Sequence, residues 1–184
     1  MLEAGQLALV GSGHVALRRR AAPVQAVDAS ARDLAERLFD TMRQEGGVGL
    51  AAPQVGVSTR VIVVDVTAVQ PRTRPLALIN PVIVARRGSA VAVEGCLSLP
   101  GIEAPVRRAS AVSVQALDTG GEPLNLAADG LLARALQHEI DHLDGILFVD
   151  RLSLAARWRL RRALRTLGQA VRPPAAGRAS AAVL

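Results

Sequence analysis

Apolar and polar residues alternate along the chain at two spacings, and each spacing predicts a different kind of element. A first helix is predicted at about 30–45, because Leu34, Leu38 and Met42 recur at the spacing of one helix face. Ser30, with an acidic residue three positions later, is expected to cap its start. The glycine pair that follows should end it.

Runs of β-branched residues predict strands in the middle of the chain. A hairpin turn is expected where two glycines follow Asp118 and Thr119. Residues 47–56 are rich in glycine and predict a loop whose backbone can approach a ligand closely. The predicted strands are 60–66, 76–84, 91–93, 112–116 and 124–127.

Two more helices are predicted towards the C-terminus. The first begins after Asp129, which suits an N-cap, and ends at Gly145. A short strand or packed connector is expected at 146–149, and a disordered tail at 172–184. The last helix, about 153–168, carries arginines around an apolar face of Ala156, Leu160, Ala163, Leu164 and Leu167.

The length of 184 residues fits one domain with a substantial core, predicted to span 1–171. Half of the residues are hydrophobic but only 2% are aromatic, so the core must be aliphatic. A single cysteine allows no intrachain disulfide and favours a reducing compartment. Neither a signal peptide nor a membrane-spanning run is apparent, so a soluble, cytoplasmic protein is expected.

The net charge of +6 is unevenly distributed along the chain. Residues 1–150 carry 14 arginines and 16 acidic residues, a net charge of −2. Residues 151–184 carry 8 arginines and no acidic residue, a net charge of +8. This asymmetry indicates an anionic partner, such as nucleic acid or a membrane surface. The alternative is a solvated arginine face over a packed apolar stripe.

The most informative stretch is the HExxH sequence His138-Glu139-Ile140-Asp141-His142 inside the second predicted helix. Histidines four residues apart lie on one helix face, where two imidazoles can hold one metal ion. The glutamate between them is placed to carry protons for a water that the metal activates. The alternative is a buried helix with two satisfied histidines.

A catalytic site of this kind needs a third protein ligand. The segment after His142 contains no histidine, and its only acidic residues are Asp144 and Asp150. The remaining candidate is Cys96, whose thiolate suits iron, zinc, cobalt or nickel as divalent ions. A lone cysteine can also be a small buried hydrophobe. We predict a ligand set of Cys96, His138 and His142.

Three segments resemble the three signature motifs of peptide deformylases, and the resemblance extends from about Val15 to Leu152. It implies an α+β fold with small, mostly antiparallel sheets around a central HExxH helix and with N-terminal and C-terminal helices outside. The family's Pro-Asp dipeptide near the N-terminus is absent, which leaves the lead-in conformation open. The segments are Gly47-Val48-Gly49-Leu50-Ala51-Ala52-Pro53-Gln54, Glu94-Gly95-Cys96-Leu97-Ser98 and Gln137-His138-Glu139-Ile140-Asp141-His142-Leu143.

The resemblance implies an enzyme that removes the N-terminal formyl group from formyl-methionyl nascent polypeptides and releases formate. The predicted ligand set would bind one divalent metal ion, Fe2+ in the family, with Zn2+, Ni2+ or Co2+ as substitutes. Glu139 would act first as general base and then as general acid. The side-chain amide of Gln54 and the backbone N–H of Leu97 would stabilise the oxyanion.

The same resemblance implies that the substrate binds as an extended strand to the backbone of Val48, Gly49 and Gly95. Its methionine would enter an apolar pocket near Val48, Leu131 and the HExxH helix. Arg134 would line this pocket with its aliphatic stem, while its guanidinium reaches water.

Some members of the family dock on ribosomal RNA through a C-terminal helix, and the resemblance implies this as the function of the basic helix. A monomer without DNA or membrane partners is expected. Glu94 is expected to be structural, paired with Arg107 or Arg108.

Two other functions remain open. An HExxH peptidase is disfavoured by the missing downstream ligand, and a catalytically silent RNA-binding protein is disfavoured by the intact set of predicted site residues.

Overall fold

The computed structural model of the protein describes residues 7–169, so the tail predicted at 172–184 lies outside the described residues. Three short 3-10 helices accompany the longer elements, at Val15–Arg18, Ala52–Val55 and Phe148–Arg151. The longer elements are α1 (Ala29–Gln44), β1 (Gly49–Ala51), β2 (Val61–Val64), β3 (Leu76–Arg87), β4 (Ala90–Glu94), β5 (Ala104–Arg108), β6 (Ala111–Leu117), β7 (Pro123–Asp129), α2 (Gly130–Leu143) and α3 (Leu154–Gln169).

The strands form two antiparallel sheets. Five of them pair in the order β1-β2-β3-β6-β7, and β4 pairs with β5 in a separate two-stranded sheet. Helices and antiparallel strands are segregated along the chain, so the predicted α+β class is confirmed.

The core is divided by strand β2, which is buried on both faces. Val61 and Val63 belong to the apolar cluster that also contains Leu38 of α1. Ile62 and Val64 belong to the cluster that contains most of the buried face of α2. Because side chains alternate along a strand, helices α1 and α2 lie on opposite faces of the larger sheet. A third cluster lies beneath β5 and the apolar face of α3.

Helix α2 is the central element, and its residues 132–143 are all buried. The predicted cap position Asp129 is the N-cap, but its side chain makes no capping bond. Gln70 supplies the acceptor instead, since its Oε1 receives the Leu132 N–H at 2.8 Å. At the other end, Ala21 donates its N–H to the Leu143 carbonyl at 2.8 Å. The chain around α2 therefore fixes both of its ends.

Several sequence predictions about local structure were wrong. The cap of α1 is Asp28 rather than Ser30, because the Asp28 carboxylate accepts the N–H of Ala31 at 3.0 Å and the Ser30 hydroxyl at 2.8 Å. An ionised acceptor at a helix start also interacts favourably with the helix dipole. The predicted loop at 47–56 contains β1 and a 3-10 helix.

The remaining differences lie in the second half of the chain. Strand β5 was not predicted, and the connector predicted at 146–149 contains the start of a 3-10 helix. Ala163 is exposed, although it was expected on the apolar face of the last helix. Only a narrow row packs against the core, formed by Ala156, Leu160, Leu164 and Leu167. Within residues 7–169, no helix is long and apolar enough to cross a membrane.

Candidate active site and metal centre

The two histidines of the HExxH sequence lie one turn apart on the buried face of α2. Their ring centroids are 4.9 Å apart, and the rings meet edge to face. Both side chains are almost completely removed from solvent. Phe148 lies parallel to the ring of His138, with 6.2 Å between centroids. The rings are therefore held in a dry environment by the helix and by the 3-10 helix that carries Phe148.

Cys96 completes this pair from a different part of the chain. It follows the end of β4 by two residues and is buried. Its sulfur lies 3.3 Å from His142 Nε2. The ligand atoms of Cys96, His138 and His142 all lie within 4.8 Å of one another. The structure thus brings together the three predicted metal ligands.

The orientation of His138 leaves one of its nitrogens available as a ligand. His138 Nδ1 lies 3.1 Å from Glu94 Oε2, and a carboxylate at this nitrogen fixes the proton there. His138 Nε2 is buried and has no hydrogen-bond partner among the described residues. Such an orphaned buried nitrogen is explained if a cation binds to it. One thiol and two imidazoles form a donor set that fits a divalent transition-metal ion.

Burial also sets the protonation of the ligands. Burial lowers the pKa of His142 well below its usual value, and the charge of Arg108 acts in the same direction. His142 is therefore neutral near pH 7, as a ligand must be. Burial, together with the charge of Glu139, raises the pKa of the Cys96 thiol to about 12. A bound cation opposes this effect, because coordination favours the thiolate.

Glu139 lies between the two histidines and is fully buried. Neither of its carboxylate oxygens has a hydrogen-bond partner among the described residues. Burial raises the pKa of Glu139 well above its usual value, while the charge of Arg108 opposes that rise. A buried carboxyl group beside a metal-ligand set, with its pKa raised and both oxygens unpartnered among the described residues, is suited to accept and donate protons.

Gln54 is the polar residue of the first motif, and its side chain reaches the same site. Its Oε1 accepts the Ala51 N–H at 2.7 Å, which fixes the orientation of the amide. Its Nε2 therefore points to the other side, where it lies 3.5 Å from Cys96 Sγ. Leu97 follows Cys96 directly, and its side chain reaches the backbone of Gly47. The first two motifs therefore meet beside the metal ligands.

The residues predicted to bind substrate lie in β1, beside Cys96 and in an apolar cluster with α2. Gly49 opens β1 and is buried, and Gly95 lies between β4 and Cys96. Val48 and Leu131 belong to the same apolar cluster, with Leu131 partly exposed. Binding of the peptide by these residues stays a prediction.

Arg134 differs from its prediction, because its guanidinium does not reach water. The side chain is only 8% exposed. Its Nη1 lies 2.5 Å from Glu94 Oε1, and both terminal nitrogens donate to backbone carbonyls. The pairing of a buried arginine with a buried carboxylate outweighs the preference of an arginine for solvent. Lining of the pocket by the aliphatic stem stays a prediction.

Glu94 is the centre of a buried charge network that sequence reasoning saw only in part. Arg108 donates to Glu94 through Nε at 2.6 Å and Nη2 at 2.9 Å, so Arg108 is the paired residue. Burial alone would raise the pKa of Glu94, but hydrogen bonds from His138 and Arg108 lower it to about 2. Arg107 instead donates to Ser89 at 3.3 Å.

The network continues to the residue that precedes His142. Arg108 Nη1 lies 2.7 Å from Asp141 Oδ2, and Asp141 also accepts from Arg151 at 2.6 Å. The sequence analysis named Arg108 only as a possible partner of Glu94, and it missed Asp141 and Phe148 as supports of the site. The signal in the sequence was Asp141, at the second x position of HExxH, because a buried aspartate needs a cationic partner.

Comparisons with known proteins agree on one family. A family model described as polypeptide deformylase matches residues 7–158. A peptide deformylase of Desulfitobacterium hafniense is 49% identical over 149 residues, 81% of this chain and 96% of the relative. One of Alkalilimnicola ehrlichii is 51% identical over 151 residues, 82% of this chain and 84% of the relative.

Solved structures show the same similarity in three dimensions. The crystal structure of a peptide deformylase from Synechococcus elongatus in complex with actinonin has a TM-score of 0.82 at 43% identity and covers 94% of this chain and 95% of that one. A Legionella pneumophila peptide deformylase has a TM-score of 0.81 at 43% identity, covering 91% and 99%. On sequence and on structure alike, the chain belongs to the peptide deformylase family.

Proposed function

We propose that the protein hydrolyses the N-terminal formyl group of formyl-methionyl nascent polypeptides and releases formate. The observation that carries this proposal is the convergence of Cys96, His138 and His142, with ligand atoms within 4.8 Å of one another, around a glutamate. A peptidase of the HExxH type would need a ligand downstream. The candidates there are engaged elsewhere, since Asp144 pairs with Arg60 at 2.8 Å and Asp150 pairs with Arg18.

Cys96, His138 and His142 would hold a divalent metal ion. Such an ion supplies Lewis acidity, which lowers the pKa of water and polarises a carbonyl oxygen. We propose Fe2+ as the native ion, with Zn2+, Ni2+ or Co2+ as substitutes, because a thiolate and two imidazoles suit each of them. Elemental analysis after anaerobic purification tests this proposal, and a protein that carries only Mg2+ would contradict it.

Glu139 would accept the proton of the attacking water and pass it to the departing amine. Its buried carboxyl has a raised pKa and no competing hydrogen bond among the described residues, which suits both transfers. Gln54 and Leu97 would stabilise the negative charge that develops on the formyl oxygen. The amide of Gln54 needs little reorientation for this, because Ala51 holds its Oε1.

The peptide would bind as an added strand along the backbone of Val48, Gly49 and Gly95. Strand β1 lies at one end of the five-stranded order, so one of its edges is not paired with another strand of that sheet. Main-chain recognition tolerates many sequences, whereas the apolar cluster with Val48 and Leu131 suits the methionine side chain.

Formate release from formyl-Met-Ala-Ser tests the proposed activity, with the acetylated peptide as control. We expect hydrolysis of the formylated peptide alone. The Glu139→Ala variant should retain its metal and lose nearly all activity. Cleavage of internal peptide bonds would favour a peptidase instead, and binding to RNA without any hydrolysis would favour a silent RNA-binding protein.

We also propose that α3 docks on ribosomal RNA, and that the enzyme acts as a cytoplasmic monomer. The helix packs on the core with one face and carries arginines on the rest. Trp158 is 63% exposed, and the guanidinium of Arg161 lies 4.2 Å from the centre of its ring. Exposed arginine and aromatic groups can contact phosphates and unstacked bases.

Co-sedimentation with ribosomes tests this docking at two salt concentrations. Binding should weaken as salt increases, because arginine contacts to phosphate release counterions. Deletion of residues 153–184 should abolish it. Unchanged co-sedimentation of the deleted protein would contradict the proposal, and sedimentation equilibrium of the free enzyme tests the monomer.

A further inference from the structure

We propose that Arg134 is a positioning residue of the active site. Its guanidinium binds Glu94, the carboxylate that orients His138, and also binds the β4–β5 hairpin, which leads to Cys96. One side chain therefore holds together the two halves of the metal site. The inference rests on the proposed function, because it concerns the same site, and it gives the guanidinium a role in addition to the predicted lining of the pocket by the aliphatic stem.

The contacts of Arg134 span three elements. Arg134 lies on α2, one turn before His138, and its Nη1 approaches Glu94 Oε1 at 2.5 Å. The same nitrogen donates to the Val106 carbonyl of β5 at 3.1 Å, and Nη2 donates to the Ala90 carbonyl of β4 at 3.1 Å. The guanidinium therefore ties both strands of the hairpin to the helix that carries the histidines.

Glu94 transmits this constraint to both ligand positions. It is the last residue of β4, two residues before Cys96, and its side chain has no solvent exposure. One of its oxygens accepts from Arg134, while the other lies 3.1 Å from His138 Nδ1. A rotation of the carboxylate would move it away from His138, so the contact with Arg134 limits the orientation of the imidazole.

Charge balance explains why this position carries an arginine. The buried network contains two carboxylates, Glu94 and Asp141, and two guanidiniums, Arg108 and Arg134, each side chain at most 10% exposed. Without Arg134, both carboxylates would depend on Arg108 for a buried cation. The planar guanidinium makes these three contacts from two separate nitrogens, a geometry that the single ammonium nitrogen of a lysine cannot reproduce.

The test uses the full-length protein loaded with Co2+. The matched variants are Arg134→Met and Arg60→Met, because Arg60 is an equally buried arginine (8% exposed) that bonds to Leu143, Asp144 and Pro81 and not to Glu94. Arg134→Met should release Co2+ to a chelator about tenfold faster than wild type, since Glu94, the outer-shell partner of His138, typically contributes about 10–100-fold to metal affinity and Arg134 acts through it. Its visible absorption spectrum should also shift.

Arg60→Met should lower the melting temperature but keep the wild-type release rate and spectrum. If Arg134→Met fails to fold, Arg134→Lys decides, and an intermediate release rate is expected. In a Glu94→Gln background, Arg134→Met should change the rate by less than about twofold, because the arginine acts through Glu94.

Wild-type release and spectrum in the Arg134 variants would overturn the inference, and so would an equal acceleration in Arg60→Met. Failure of the wild-type protein to bind Co2+ at all would instead contradict the proposed metal site. The two failures are therefore distinguishable.

Discussion

Gly49 and Glu139 lie in direct contact, and the contact leaves no room for a side chain at position 49. A Cβ atom added to Gly49 would lie 2.5 Å from Glu139 Oε1 and 2.9 Å from its carboxyl carbon. The loop around Gly49 was predicted to let the backbone approach a ligand. The atoms nearest to such a Cβ belong to the carboxylate assigned to proton transfer, so a glycine at position 49 leaves the space that Glu139 occupies.

Gly49→Ala is expected to displace Glu139 and to lower kcat about a hundredfold, because a shift of about 1 Å in a catalytic group can have that effect. Metal content should stay at the wild-type level, since none of the three ligands is in this contact. Gly11→Ala is the matched control, because a Cβ there meets nothing within 4 Å. Equal kcat values for the two variants would show that the carboxylate tolerates the extra methyl group.

Gln54→Ala is expected to slow turnover while metal content stays normal. Loss of one oxyanion donor typically removes about 2.7–4 kcal/mol of transition-state stabilisation, or about 10²–10³ in kcat. Gln115→Ala, an exposed change on β6, serves as control and should leave the rate unchanged. Steady-state formate release with metal analysis measures both effects. A nearly unchanged kcat would remove Gln54 from the mechanism.

Arg108→Met is expected to lower the free energy of unfolding by about 3 kcal/mol, the low end of the effect of breaking a buried pair, because Arg134 still pairs with Glu94 and Arg151 with Asp141. Arg107→Met, at the exposed neighbouring position, should change it by no more than about 0.5 kcal/mol. Urea unfolding of both variants gives the comparison. Similar midpoints would mean that the network contributes little to stability.

The metal-binding helix and its cysteine partner could be predicted because short patterns record them. The spacing of His138 and His142 is a local property of a helix, and Cys96 was the one soft donor available. Strand β5 could not be predicted in the same way. Its inward-facing residues are Ala104, Val106 and Arg108, and a buried arginine interrupts the apolar alternation that marks a strand.

The burial of Arg134 could not be predicted from local sequence either. An arginine in a helix normally extends to solvent, and its sequence neighbours give no reason to expect otherwise. The reason is Glu94, forty residues earlier in the chain, which becomes a neighbour only when the hairpin of β4 and β5 packs on α2. Contacts between charged residues that are far apart in the sequence therefore cannot be predicted from the spacing of hydrophobic residues.

Asp28→Ala is expected to lower the melting temperature at about pH 7, because the Asp28 carboxylate accepts the Ala31 N–H at 3.0 Å and caps α1. The backbone hydrogen bond from Ala31 and the side-chain bond from Ser30 lower the pKa of Asp28 below its usual 3.8. The stabilisation is therefore complete above the usual pKa and is lost as the pH falls through the lower pKa of the folded state.

The difference in Tm between wild type and Asp28→Ala should shrink between about pH 7 and about pH 3. Asp28→Asn keeps an acceptor that does not titrate, so its Tm difference from wild type should be smaller at about pH 7 and should shrink with falling pH as the wild-type carboxylate is protonated. The difference between the Asn and Ala variants should stay nearly constant. A difference for Asp28→Ala that stays constant over this range would show that the cap does not depend on the ionised carboxylate.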